Sequence, residues 1–139
     1  MRKRVFGRQL SRGGGARIAL FRSLIKALVK FGKISTTKAR AKAIQGEVDK
    51  IMTQLRKVSI PPGKNIVSAK RLVLSKLGGD RETVEKLFRE YAKVTLKRQS
   101  GFTRIVNLSP RKGDQAKLVR LEFVDKPVIK KNENISTKK

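Results

Sequence analysis

The chain has no cysteine and no histidine. The first absence removes a disulfide framework and any thiolate metal site. Together they remove the commonest general acid–base group and the commonest thiol nucleophile. There is no tryptophan, Tyr91 is the single tyrosine, and aromatic residues make up 5% of the chain. That argues against a protein that grips single strands by stacking base after base. No apolar run approaches the roughly 20 residues needed to cross a bilayer. Acidic residues are scarce, 10 against 36 Lys plus Arg, and none occurs before Glu47. Glu47 with Asp49 and Glu82 with Glu85 are the close carboxylate pairs. The first pair points to different helix faces, and the second suits a helix dipole better than a metal site. No phosphate-binding loop, dinucleotide fingerprint or nucleophile elbow is found. Gly13-Gly14-Gly15 precedes a helical pattern but follows no strand, so it is a poor nucleotide cradle. These absences predict no enzyme activity, no cofactor, no metal and no small-molecule substrate.

What is there is positive charge. A length of 139 residues suggests one domain, and the net charge is +26 with a pI of about 11.5. A compact domain with that charge repels itself, and a dense polyanion relieves the repulsion. Nucleic acid is the first candidate and an anionic membrane surface the second. Hydrophobic residues make up 38%, which predicts a modest core with charged extensions. The start, MRKRVFGRQL, is too polar for a secretory signal. The reading is a cytoplasmic protein, or less favourably an organellar-matrix one, with nothing removed. The charge is also one-signed over a third of the chain, from Arg2 to Lys42, as expected of a contact surface rather than a merely soluble one.

Residues 1–15 show no period, five basic residues and three consecutive glycines. They read as a basic arm that orders along RNA, with Arg4, Arg8 and Arg12 evenly spaced. Residues 16–31 are helical, with Ile18, Phe21, Ile25, Leu28 and Val29 on one face and Gly32 as the stop. Residues 33–36 allow a short strand. Thr36 or Thr37 then caps a long helix whose stripe is Ala41, Ile44, Val48, Ile51, Met52 and Leu55. Gly46 inside it suggests that another backbone packs closely there. The early turns of this helix carry Lys38, Arg40 and Lys42 and no acid. Each cation opposes the macrodipole by about 0.3–1 kcal/mol, and an external anion reverses the sign. This helix start is therefore predicted to be a phosphate seat.

Pro61-Pro62-Gly63 forms a turn. Ile66, Ala69, Leu72, Val73 and Leu77 mark a third helix ended by Gly78-Gly79. Asp80 caps a fourth, with Val84, Leu87, Phe88 and Tyr91 on its apolar side and Glu82 and Glu85 early, where the dipole favours them. The fourth helix is expected to face away from RNA. Residues 102–108 and 117–124 are rich in β-branched and aromatic residues, and SPRKGDQA separates them, so they read as an antiparallel hairpin. Arg111 and Lys112 at its tip fit phosphate contact and ordinary turn chemistry equally. The tail from residue 126 is polar and lysine-rich. The domain reading is therefore a basic RNA-binding arm at 1–15, an α+β body at 16–125 and a tail at 126–139.

Several motifs now agree. MRKRVFGRQLSR, RIALFRSL and ISTTKARAK, with SGFTRI at residues 100–105, resemble the bacterial-type ribosomal large-subunit protein L-seventeen family. Ile34, Thr36, Thr37, Arg40, Ala41, Lys42 and Asp49 fit that pattern, as do Lys112-Gly113-Asp114 and Glu122 with Val124-Asp125. The resemblance runs over residues 1–125. It implies an α+β body of about four helices, with the Ile34 strand joining the hairpin in a small mixed sheet. It also implies a structural, non-catalytic constituent of the ribosome that holds large-subunit rRNA in its fold during translation. Its partners would be that rRNA and neighbouring large-subunit ribosomal proteins, with no membrane contact. Carried over, the RNA-facing residues are Arg2, Lys3, Arg4, Arg8, Arg12, Arg17, Arg22, Thr36, Thr37, Lys38, Arg40, Lys42, Thr103 and Arg104. Lys3 stands where the family often has histidine, and Gly13-Gly14-Gly15 replaces a more polar stretch. A duplex-DNA-binding nucleoid protein and a cationic membrane-active protein share the charge. The first lacks a recognition-helix or minor-groove wedge signature, and the second would rest on residues 16–31 alone.

Overall fold

The computed structural model describes residues 7–59 and 65–125. Arg2, Lys3 and Arg4, the Pro61-Pro62-Gly63 turn and the tail from Lys126 lie outside the described residues. Helix α1 spans Gly14–Phe31. It starts two residues earlier than expected because the Arg17 N–H already bonds the Gly13 carbonyl at 3.0 Å. Its core contacts begin at Phe21 and continue through Ile25, Leu28 and Val29, whereas Ile18 is 51% exposed. Gly32 ends the helix at φ +73°, with its N–H on the Leu28 carbonyl at 2.7 Å. That left-handed position is one that glycine takes at no steric cost.

Strand β1, Lys33–Thr37, follows at once and runs without a linker into helix α2, Lys38–Ser59. The expected threonine cap is not formed. Thr37 is held in the strand opposite Leu118, and Thr36 is 7% exposed opposite Val119. The N–H of Lys38 instead donates to the Lys117 carbonyl at 3.0 Å, tying the helix start to the segment before β3. The α2 stripe is the expected one, extended to Val58. Gly46 is not a packing glycine: it is exposed, and a Cβ there would meet nothing within 4 Å.

Helix α3, Ile66–Lys76, buries Ala69 and Val73, followed by the buried Leu77, and leaves Ile66 and Leu72 partly exposed. Helix α4, Arg81–Lys86, is capped as expected, with the Asp80 carboxylate accepting from the Thr83 N–H. The fourth helix does not continue regularly. A π-helical turn, Leu87–Tyr91, and a 3-10 turn, Val94–Leu96, follow it. The π-turn keeps Leu87 and Tyr91 both inside. The Tyr91 ring lies 4.6 Å from that of Phe123, and its hydroxyl donates to the Val29 carbonyl at 3.4 Å.

Strands β2, Thr103–Asn107, and β3, Leu118–Phe123, pair as the expected hairpin. The sheet order is β1-β3-β2 and both pairings are antiparallel, so the sheet is not mixed. The last strand, β3, sits between the other two and runs opposite to both. Thr36, Val119, Leu121, Phe123 and Thr103 turn one face of the sheet to the helices, where they are buried. Lys33, Arg104, Arg120 and Glu122 lie on the other face by strand alternation. The start of β2 is pinned to α2: the Asp49 carboxylate accepts from the Phe102 N–H at 3.2 Å, and Gln45 Nε2 donates to the Thr103 carbonyl at 3.2 Å.

Candidate nucleic-acid interface

The cations of this protein divide by whether the fold already uses them. Lys26 bridges Asp80 at 3.2 Å, Lys50 bridges Glu47 at 2.7 Å and Arg98 bridges Asp125 at 2.6 Å. Lys86 and Arg89 flank Glu90. Arg104 reaches across the hairpin to Glu122 at 2.7 Å, and Arg111 pairs with Asp114 within the tip loop. These pairs lie mostly in the second half of the chain, where the acids are. From Arg8 to Lys42, Lys26 alone has an ion pair among the described residues.

Several expected contact residues are engaged or covered. Arg22 donates from Nε to the Lys76 carbonyl at 3.1 Å and from Nη2 to the Ser75 carbonyl at 3.3 Å. It therefore closes the C-terminus of α3, whose last carbonyls lack helical partners. Thr36 and Thr103 cannot present their hydroxyls outward: both lie on the inner sheet face, with Thr103 4% exposed and its Oγ1 unpartnered. Arg104 and Arg111 stay at the surface but are shared with acids. The Arg111 guanidinium holds the Asp114 carboxyl far below the usual carboxylate range. The tip loop makes the pair that turn chemistry expects, with Lys112 exposed beside it.

The remaining expected residues lie in the arm, on α1 and at the start of α2. Lys38 and Lys42 are exposed and Arg40 is half-buried, and the first turn of α2 holds no acid. The backbone bond from Lys38 goes to Lys117, itself an exposed cation. Arg8 and Arg12 are exposed in the preceding arm, and Arg17 is half-buried on α1. A helix N-terminus supplies about half a positive charge, and three cations here add to it. Water and salt alone would leave those like charges opposed.

The sequence puts Lys33 within the one-signed stretch without singling it out, and it passes over Arg120; both are outer-face cations of the sheet. The signal is strand alternation: Arg120 lies between the buried Val119 and Leu121, and Lys33 precedes the inward Ile34. Among the described residues there is no cluster of three or more acidic or other ligating side chains that could hold a metal, and no helix long and apolar enough to cross a membrane. Asp49 has its pKa raised by burial, opposed by the Phe102 hydrogen bond. Its place between α2 and β2 is that of a strut.

The fold and the charge define a small basic α+β protein whose longest acid-free run of cations lies before Glu47. The family model for Ribosomal protein L17 matches residues 20–124. Large ribosomal subunit protein bL17 of Persephonella marina is 38% identical over 128 residues, 91% of this chain and 98% of the relative. The bL17 protein of Gemmatimonas aurantiaca is 37% identical, covering 89% of this chain and 98% of its own length. That of Chloroflexus aurantiacus is 38% identical, over 89% of this chain and all of the relative. The chain belongs to the ribosomal protein L17 family, whose members are structural, non-enzymatic components of the large ribosomal subunit.

Proposed function

We propose that this chain binds large-subunit ribosomal RNA and holds separate RNA segments in fixed relative orientation within the subunit. The observation that carries the reading is the run of cations without ion-pair partners among the described residues, Arg8, Arg12, Arg17, Lys38, Arg40 and Lys42. It ends at a helix start that holds no acid in its first turn. Phosphates supply the missing charge at the positive end of the helix dipole. Residues 1–15 act as the RNA-binding arm, residues 16–125 as the body and residues 126–139 as a basic tail. The role is architectural, since phosphate contacts fix position and carry little sequence information. Neighbouring large-subunit proteins are further partners, for which the exposed Val67 on α3 and Leu96 offer apolar contact. The protein works in the cytoplasm, where ribosomes do.

The test is sedimentation of tagged protein from lysate on a sucrose gradient, before and after a high-salt wash. Co-migration with the large subunit and whole ribosomes through the wash is the expected result. Protein that stays at the top of the gradient, or sediments only with DNA, refutes the reading. A competition between rRNA fragments and duplex DNA separates it from general polyanion binding.

A further inference from the structure

A cavity of about 530 Å³ lies where the end of α1, the π-turn and the outer sheet face meet. Its volume is that of a small-ligand pocket. Phe31 lines it and is 68% exposed, with Lys30 Nζ over its ring at 5.9 Å. Single exposed apolar residues are ordinary. Phe31 differs in lying at a cavity whose walls are graded by charge. Glu90 and Glu122 are the sheltered groups, with side chains 14% and 16% exposed, each already beside a cation. Lys30 and Lys33 are exposed and Arg120 half-exposed, and no acid pairs with any of the three among the described residues. A bare phosphate entering deeply would meet the carboxylates. A neutral ring with a phosphate behind it meets each group with the favourable sign.

We infer that this cavity accepts one unpaired nucleotide of the bound RNA, its base against Phe31 and its flanking phosphates on Lys30, Lys33 and Arg120. The inference rests on the RNA reading above and adds a second contact, at the far end of β1 from the α2 start. It fits the low aromatic content: one ring serves one flipped-out base, not a stacked run. The π-turn has a role here too, because it carries Glu90 and Tyr91 into the cavity wall.

The chain has no tryptophan, so Phe31→Trp in the full-length protein gives a single indole at the cavity, excited selectively over Tyr91. Protein-free large-subunit rRNA and a fully paired RNA duplex are the two probes. The expected result is quenching by rRNA and not by duplex, with Phe31→Trp retaining wild-type affinity. Phe31→Ala and Phe31→Leu weaken rRNA binding about tenfold. They leave the salt slope unchanged, since no charge is removed, whereas Lys33→Gln lowers it. Circular dichroism that matches wild type keeps misfolding out of the comparison. Undiminished binding by Phe31→Ala, together with an unquenched indole in Phe31→Trp, overturns the cavity reading and leaves RNA binding standing. Failure of the wild-type protein to bind rRNA overturns both. An indole that responds only when other large-subunit proteins are added overturns the nucleotide and assigns the cavity to a protein neighbour.

Discussion

Removing Lys38, Arg40 and Lys42 together, each as a glutamine, should move RNA affinity and protein stability in opposite directions. The three cations stand at the start of α2 with no acid in the first turn and no ion-pair partner among the described residues. In the free protein Lys38 and Arg40 oppose the helix dipole, so neutralising them should stabilise by about 0.5–2 kcal/mol in total. Easing the repulsion of a +26 chain acts in the same direction. On RNA each phosphate contact contributes about 0.7–0.9 to the slope of log affinity against log salt, so three contribute about 2–2.7. Between about 50 and 200 mM salt that is a further loss of about 15- to 40-fold for wild type, which the variant should not show. Urea unfolding gives the first quantity, and filter retention of rRNA fragments over a salt series gives the second. Lys57→Gln is the control. It removes an exposed cation from the last turn of the same helix, where the dipole favours one. It should lower stability slightly and leave the slope alone. A triple variant that is less stable than wild type and keeps its slope would mean that the fold itself needs these charges, and the phosphate seat would be refuted.

Gly46 and Gly78 should respond oppositely to alanine. Gly46→Ala adds a methyl group to open space inside a helix and should stabilise by about 1 kcal/mol. Gly78→Ala forces a side chain to φ +70° against the Arg22 side chain at 3.2 Å and should destabilise; thermal unfolding of both variants measures this. Arg22→Gln should lower stability by about 1 kcal/mol through loss of the α3 carbonyl contacts, with little change in the rRNA salt slope. A slope change as large as that of Lys38→Gln would show that Arg22 serves RNA instead. Asp49→Ala should cost about 1–3 kcal/mol by leaving the Phe102 N–H without its acceptor, while Asp49→Asn keeps an acceptor and should be close to neutral. The pH dependence has a definite sign. The folded Asp49 pKa is raised above 3.8 by burial, so the folded state binds the extra proton and this residue's contribution to stability falls as pH rises through that window. Asp80 acts in the opposite sense: its pKa is lowered, chiefly by the Thr83 N–H, so its contribution is lost as pH falls below 3.8. Urea titrations of wild type and Asp49→Asn between about pH 3 and 6 should differ by the Asp49 contribution alone.

What can be read from the chain is what depends on neighbours a few residues away. The α2 stripe, the Asp80 cap, the Gly32 stop and the two hairpin strands all follow from spacing within one element, and all are present. The charge imbalance is equally local, and it singles out the start of α2 without any structure. What the chain hides needs the third dimension. Thr36 and Thr103 look like outward hydroxyls in the sequence, but strand alternation around Val119 and Phe123 turns them inward. Arg22 and Arg104 read as free cations, yet α3 and β3 supply their partners from 53 and 18 residues away. The Leu87–Tyr91 π-turn leaves no mark that spacing can detect, because the same residues would also bury in a regular helix. The consequence for function is specific. Summed charge overstates the free cations, since Lys86, Arg89, Arg98, Arg104 and Arg111 are spent on acids of the second half of the chain. The longest acid-free stretch of the described residues holds the cations from Arg8 to Lys42, of which Lys26 alone has an ion pair among the described residues. If the proposed RNA binding holds, an acid-free run is the better guide to the contact residues than summed charge. Under the proposed RNA-binding reading that criterion selects Arg8, Arg12, Lys33 and the start of α2, and it sets the Arg111–Asp114 tip aside.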